Sequence, residues 1–492
     1  MSVTRRTLLT HSMLASAGLL GLSGCNNELI NNTIFADAPA LTALSKSPTL
    51  DYPAHVLMRL SYGIHPRDRA ALLALNQNPD DAAAAWIESQ LAPEKIDDHL
   101  CERLVRRHEA LAQPLGELYE YKEPVLLREL TTATVLRAVF SHRQLYERMV
   151  GFWHDHFNVD MSKGECAWVT VAYDRDIIRT NALGNFSDLL RAVVLSPAML
   201  WYLDGRVNRV TQVGMKPNEN YARELLELHT LGLDGGYSQN DIMEIARCLS
   251  GWSVRDQKRF RKGTVEFHPQ EHDNGEKTVL GTTIAAGGNE RDLDRVLALV
   301  TNHPATARHI AKKLCQHFIH DQPSPTAIAA VEQAFINSQG DIAATLRALT
   351  ATTDFHDPQH RGAKLKRPFH YLASCLRATA ADSDGGRAIH DYLQRLGHLP
   401  FQFPTPDGQP DHSEAWTGTL LWRWRFSDEL TRGNLHKTKV NQRELLQHCG
   451  SPTGVMTHVL GRQADEEIKS LLLADKERAL SLLLASPMFQ HC

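Results

Sequence analysis

The sequence of 492 residues lacks the short motifs that usually disclose an enzyme. It has no GxSxG elbow, no Walker loop, no GxGxxG turn, no HExxH helix and no CxxCH haem attachment, so the familiar hydrolase, nucleotide-binding and c-type haem readings lose support. Neither sign of charge predominates. The 53 lysines and arginines and 57 aspartates and glutamates are spread evenly and leave a net charge of −4, which gives no nucleic-acid surface and no acidic tail. No repeat of fixed period occurs. The 8 cysteines contain no CxxC pair, and Cys248, Cys315 and Cys375 sit in apolar helical patterns. They read as buried free thiols, with one or two disulfides open to an oxidising compartment.

What is present begins with an address. Thr4-Arg5-Arg6-Thr7-Leu8-Leu9 has the twin-arginine form, and an apolar run from Met13 to Leu22 follows it. That run is too short to span a bilayer as a mature helix. It ends in Leu22-Ser23-Gly24-Cys25, the form of a lipobox, whose cysteine becomes a lipidated N-terminus. Residues 1–24 are therefore expected to be a signal, with Cys25 lipidated and residues 25–50, rich in Asn, Ala, Ser and Thr, as a tether. The expected location is periplasmic or cell-envelope, with the membrane reached through the lipid. An ordinary secretory signal with a chance cysteine is the plainer alternative. The twin-arginine route carries folded proteins, often with a cofactor already inserted.

The body, residues 51–492, reads as mainly α, a large multi-helix domain or two subdomains at about 51–300 and 301–492. Ser196-Pro197 breaks one helical stretch and starts the next, while Ser238 and Asp241 form the opening of another. Residues 258–284 change character. Thr264–Phe267 and Lys277–Ile284 look like two strands of a small β-hairpin insertion, with His268, Glu271, His272 and Asp273 at its tip.

The densest run of ionisable groups in a helical pattern is Asn218–Gly236. Steps of about 100° per residue separate an arc of Tyr221, Ala222, Leu225, Leu226 and Leu228, with His229 among them, from an arc of Asn220, Arg223, Glu224 and Glu227. Glu224 and Glu227 are i,i+3 neighbours and can share a metal ion or a proton. His229 lies on the far side, so imidazoles must come from elsewhere. His154 and His156 are candidates, because a helix end near Asn158 and Val159 would let them converge, with Asp155 supporting them. His309, Lys313 and His317 align at i, i+4 and i+8, as a site wall or as a surface of snorkelling side chains, the spacing favouring the surface. The plainer alternative for the central run is a solvated face with an Arg223–Glu227 ion pair and a hydrogen-bonded core histidine at 229.

Several stretches together resemble the bacterial family known as domain of unknown function 1800. They are His55–Tyr62, Phe152–Phe157, Asn185–Asp204, Asn218–Trp252, His272–Gly281, His303–Phe318 and the turn Pro404–Trp416, with Thr405–Pro410 departing from the Gly-Trp-Pro of many members. The resemblance implies a mostly helical exported protein, often encoded beside another exported family that looks like sulfatases and phosphatases. It places His154, His156, Asn220, Glu224, Glu227, His229, His272, Asp273 and His317 at motif positions. Two classes follow. The first is an enzyme with a divalent metal (Zn, Mn or Fe) on His154, His156, Glu224 and Glu227. In it Glu224, Glu227, His272 and Asp273 do acid–base work, supported by Asn220, His229 and His317. The second is a non-catalytic lipoprotein that binds the phosphatase- or sulfatase-like protein as its partner.

Overall fold

The computed structural model describes residues 50–492 apart from positions 213, 258–260, 465, 467, 468, 471–474, 476 and 477. The signal, Cys25 and the tether up to residue 49 lie outside the described residues. Helices dominate, and their starts follow local chemistry. Ser196 caps the helix Pro197–Tyr202 by accepting from Met199 N, and Ser238 with Asp241 forms a reciprocal capping box on Gln239–Cys248. Proline stands in the first turn of Pro304–Phe318, Pro325–Asn337 and Pro368–Ala378, where its missing N–H costs no helical bond. Among the described residues no helix is long and apolar enough to cross a membrane.

The apolar faces of these helices build two large cores. The larger takes Val56, Met149, Phe157, Leu190, Leu226, Val300, Ile310 and Phe355, and passes residue 300 without a break. The smaller gathers Tyr371, Leu376, Leu393, Phe426, Val459 and Leu484, together with Val139 from the first half of the chain. Cys101, Cys166, Cys248, Cys315, Cys375 and Cys492 are buried and unpaired, and Cys449 is unpaired and half-buried.

Among the described residues there are three two-stranded antiparallel sheets. Strands β1 (Trp252–Val254) and β2 (Val265–Phe267) pair, as do β3 (Lys277–Val279) and β4 (Thr282–Ile284), and β5 (Asp382–Ser383) and β6 (Thr438–Lys439). The expected insertion is therefore two small units. Val265–Phe267 finds its partner upstream, and Lys277–Ile284 folds on itself through Leu280 and Gly281, both at positive φ as a tight hairpin turn requires.

Two stretches are wound more widely than an α-helix: Tyr173–Ile178 and Leu225–His229 have π geometry. Such turns are uncommon and recur at functional sites.

Candidate functional site

The central helix, Asn220–Glu224 continued by the wide turn Leu225–His229, divides its charges as the helical projection expects. Asn220 anchors its start, its amide donating to Leu203 O at 3.1 Å. Arg223 spans Glu219 (2.7 Å) and Glu227 (3.2 Å), so Glu227 is engaged in an i,i+4 ion pair. Glu224 has no hydrogen bond or ion pair among the described residues. Burial raises its pKa, and Glu227 and Asp407 add to the rise against the opposing pull of Arg223.

His229 is fully buried against Phe157, and neither ring nitrogen has a hydrogen-bond partner. The expected core placement is observed; the expected hydrogen bond is not. Its ring stands 6.1 Å from that of His156, which in turn is 6.0 Å from His309. His156 Nε2–H donates to His229 O, and His309 Nε2–H donates to Leu228 O. These bonds fix both tautomers, so each Nδ1 carries a lone pair. The His156 Nδ1 is buried without a partner. Gly232, at φ +80°, ends the wide turn, and a Cβ there would lie 2.7 Å from His309 Nδ1. Glycine is thus what admits the His309 ring.

Lys313 reaches the same place from the Pro304–Phe318 helix. It is half-buried and has no hydrogen bond or ion pair among the described residues. Burial lowers its pKa, against the pull of Asp155, Asp411 and Asp407. Burial and Lys313 together hold the imidazoles neutral: His156 falls well below the ordinary histidine value, His229 to about 3 and His309 to about 4.

A chain of charges backs this seam. Arg367 donates to Asp155 at 2.6 Å and lies 3.8 Å from Asp411, which accepts from His317 Nδ1 at 3.0 Å. Burial alone would raise Asp411, but Lys364, His317 and Arg367 outweigh it and keep it ionised. The loop Phe401–Asp411 covers the end of the helix Gln144–His156. Asn158 donates to Phe403 O and Thr405 O at 2.9 and 2.8 Å, and Tyr202 OH donates to Pro404 O at 2.9 Å. Gly408, at φ +75°, lies so close to the Asp155 carbonyl that a Cβ would collide with it. Asp407, at the loop tip, acts on both Lys313 and Glu224.

The metal set expected from sequence does not assemble. His154 turns away from His156 and pairs with Asp174 at 2.9 Å, inside a buried network with Arg179, Glu147 and Arg137. His156 is bonded to the His229 carbonyl and Glu227 to Arg223. Among the described residues no group of three or more His, Cys, Asp or Glu side chains could hold a metal ion. His272 and Asp273 also lie in structural bonds. His272 is buried between Ser250 O (2.8 Å) and Asp292 (3.3 Å), and Asp292 also pairs with Lys277 (2.8 Å). Asp273 is held by Arg247 at 2.7 Å. The two pin the β3–β4 hairpin to its neighbours and share no bond with Glu224.

Lys313 and His309 were visible in the sequence as an aligned row with His317, and the structure buries His317 and half-buries the other two, where the spacing favours a surface. Asp411 and Arg367 carried no local signal, because they reach the seam only through the fold.

Fold and site thus define a mainly helical protein in which the rings of His156, His229 and His309 meet where two helix ends and a third helix converge. A family model described as Protein of unknown function (DUF1800) matches residues 55–491, and the chain belongs to that family. No curated protein and no solved structure matches the chain.

Proposed function

We propose that this chain is an exported enzyme whose seam performs acid–base chemistry on a small polar substrate. Glu224 and Lys313 are the proton-handling groups, and His156 and His309 accept hydrogen bonds from the substrate. The observation that carries the reading is Lys313, an ammonium set among neutral imidazoles without a bonded partner among the described residues. A scaffold lysine in such surroundings would be expected to find a carboxylate. Here Asp155 and Asp411 are taken up by Arg367, His317 and Lys364.

The chemistry follows from the two shifts. Glu224 moves up toward neutrality and Lys313 moves down toward it. Proton transfer is most effective when donor and acceptor pKa values lie near the working pH. The Nδ1 lone pairs of His156 and His309 suit a substrate that presents hydroxyl or amine hydrogens, while the Lys313 ammonium suits an oxygen bearing developing negative charge. The donor set does not fit the divalent ion expected from sequence, and the Lys313 charge opposes a cation beside these imidazoles. No step is routed through a metal.

The test uses the purified chain with p-nitrophenyl acetate, phosphate, sulfate and glucoside. Glu224→Gln and Lys313→Met should each lower turnover of the cleaved probe by about 10²–10³-fold, within the usual range for a removed acid or base. Their unfolding midpoints should stay near that of the wild type. Turnover that survives both substitutions would refute the assignment. A wild-type protein inert to all four probes would favour the partner-binding reading instead.

A further inference from the structure

A polar cleft outside the seam holds buried donors that no acceptor meets among the described residues. Trp201, Arg206, Arg209, Arg255 and His268 line this cleft of about 250 Å³ beside the β1–β2 sheet. Its donors and acceptors do not balance.

Of the three carboxylates on the cleft wall, Glu266 and Glu271 are already engaged, and the third, Asp256, is exposed to solvent. Glu266 takes Arg255 Nε on Oε2 at 2.9 Å and faces His268 Nε2 with Oε1 at 3.1 Å. Glu271 faces Arg209 at 3.3 Å. Two buried donors of the wall are left without an acceptor among the described residues. Arg206 stacks on the Trp201 indole, its guanidinium carbon 3.6 Å from the ring centre, and it has no carboxylate partner among the described residues. Arg206 Nε and Trp201 Nε1 are both buried with nothing to donate to. Buried donors left unpaired are costly, and native structures seldom retain them without a use.

Local structure holds these donors in place. Arg206 sits in the short turn Gly205–Val207, where a Cβ on Gly205 would press on Tyr221 and Leu200. Arg255 directly follows β1, whose Ser253 lies opposite Glu266 in the sheet. The guanidinium edges of Arg206 and Arg255 and an indole N–H therefore border one space. Together they offer more donors than the two oxygens of a carboxylate can accept, and guanidinium forks match tetrahedral oxyanions well.

We propose that this cleft binds a tetrahedral oxyanion, the phosphate or sulfate group of a small molecule, between Arg206 and Arg255 beside Trp201. The cleft has room beyond the oxyanion itself, so an ester and the free ion both fit the chemistry.

Calorimetry on the full chain at constant ionic strength tests this with inorganic phosphate, inorganic sulfate, glycerol 3-phosphate and acetate. Phosphate or sulfate should bind saturably and at least about tenfold more tightly than acetate, as the donor count requires. Tighter binding of glycerol 3-phosphate would mark an ester as the occupant, and equal binding would mark the free ion. Arg206→Met should weaken binding about tenfold or more with the unfolding midpoint unchanged. Trp201→Phe keeps the stacked ring and removes only the N–H, and it should weaken binding several-fold; it decides the matter if Arg206→Met does not fold. Binding no tighter than that of acetate, or affinity unaltered in the folded variants, would overturn the proposal.

Discussion

His154 and His156 stand two residues apart, yet they belong to different worlds. His154 is bonded to Asp174 in a buried ion network; His156 borders His229, whose two ring nitrogens have no partner. The difference sets opposite expectations for two leucine substitutions. His154→Leu removes one partner of a buried carboxylate, a loss of about 1–3 kcal/mol. His229→Leu replaces an unpaired buried polar ring by an apolar group of similar size, which is neutral or stabilising by about 1 kcal/mol, while turnover falls if the ring serves the seam. Urea unfolding midpoints of the two variants decide the question, and a His229→Leu protein that loses as much stability as His154→Leu would show that the ring has a structural bond. The sequence pattern put His229 on the apolar arc correctly, because burial follows periodicity. It could not show that the ring nitrogens go unpaired, since that depends on Phe157 and the Pro304–Phe318 helix, far away in the chain.

At the scale of elements, helix starts were legible wherever a cap residue precedes an apolar period, as at Ser196 and Ser238. The wide turn Leu225–His229 was not, because no residue type marks an inserted residue and the reward for it is tertiary. Strand pairing failed for a similar reason. Val265–Phe267 has the alternation of a strand, but its partner Trp252–Val254 is chosen by the packing of Trp252 on Phe267, at 5.0 Å. The His309–Lys313–His317 row shows how little spacing alone can say, since surface and site wall share one period. Its burial has a consequence for acid stability. His229 and His309 have folded pKa values of about 3 and 4 against an ordinary 6.5, burial being the leading cause. The unfolded chain binds protons there that the folded chain refuses, so stability is complete above about pH 6.5 and falls as pH drops toward 4. Each imidazole should contribute about 1.4 kcal/mol of loss by pH 5.5. Urea midpoints at pH 7.5 and 5.5 measure this, and equal midpoints would contradict the buried neutral state.

For the molecule as a whole, we propose from Thr4–Leu9 and Leu22–Cys25 that Cys25 is a lipid anchor behind a twin-arginine address. Cys25→Ala should therefore move the protein from the membrane to the soluble fraction, and a wild type already soluble would refute the anchor. The two larger hydrophobic cores raise the question of what joins them. The Pro368–Ala378 helix does so: every residue of it is buried, and Tyr371 OH donates to both Arg423 O and Leu484 O inside the smaller core. From the same helix Ser374 Oγ donates to Tyr62 O at 2.8 Å, and Gly63 lies so close that a Cβ would stand 2.7 Å from that hydroxyl. Arg377 completes the joint. Its guanidinium donates to Gly63 O (2.6 Å) and Asp68 (2.7 Å), which neighbour Ile64 and Leu72 of the larger core in the chain, and to Val139 O (2.6 Å) of the smaller. Arg377→Met would leave two buried carbonyls and a carboxylate without that partner, a loss of about 3–5 kcal/mol. Arg377→Lys keeps the charge but not the fork, and should fall between the two. Because the joint couples the cores, amide exchange should accelerate in Arg377→Met both at Leu189–Val193 in the larger core and at Leu372–Leu376 in the smaller. Acceleration confined to Leu372–Leu376 would show instead that the cores unfold independently and that the helix serves only its own.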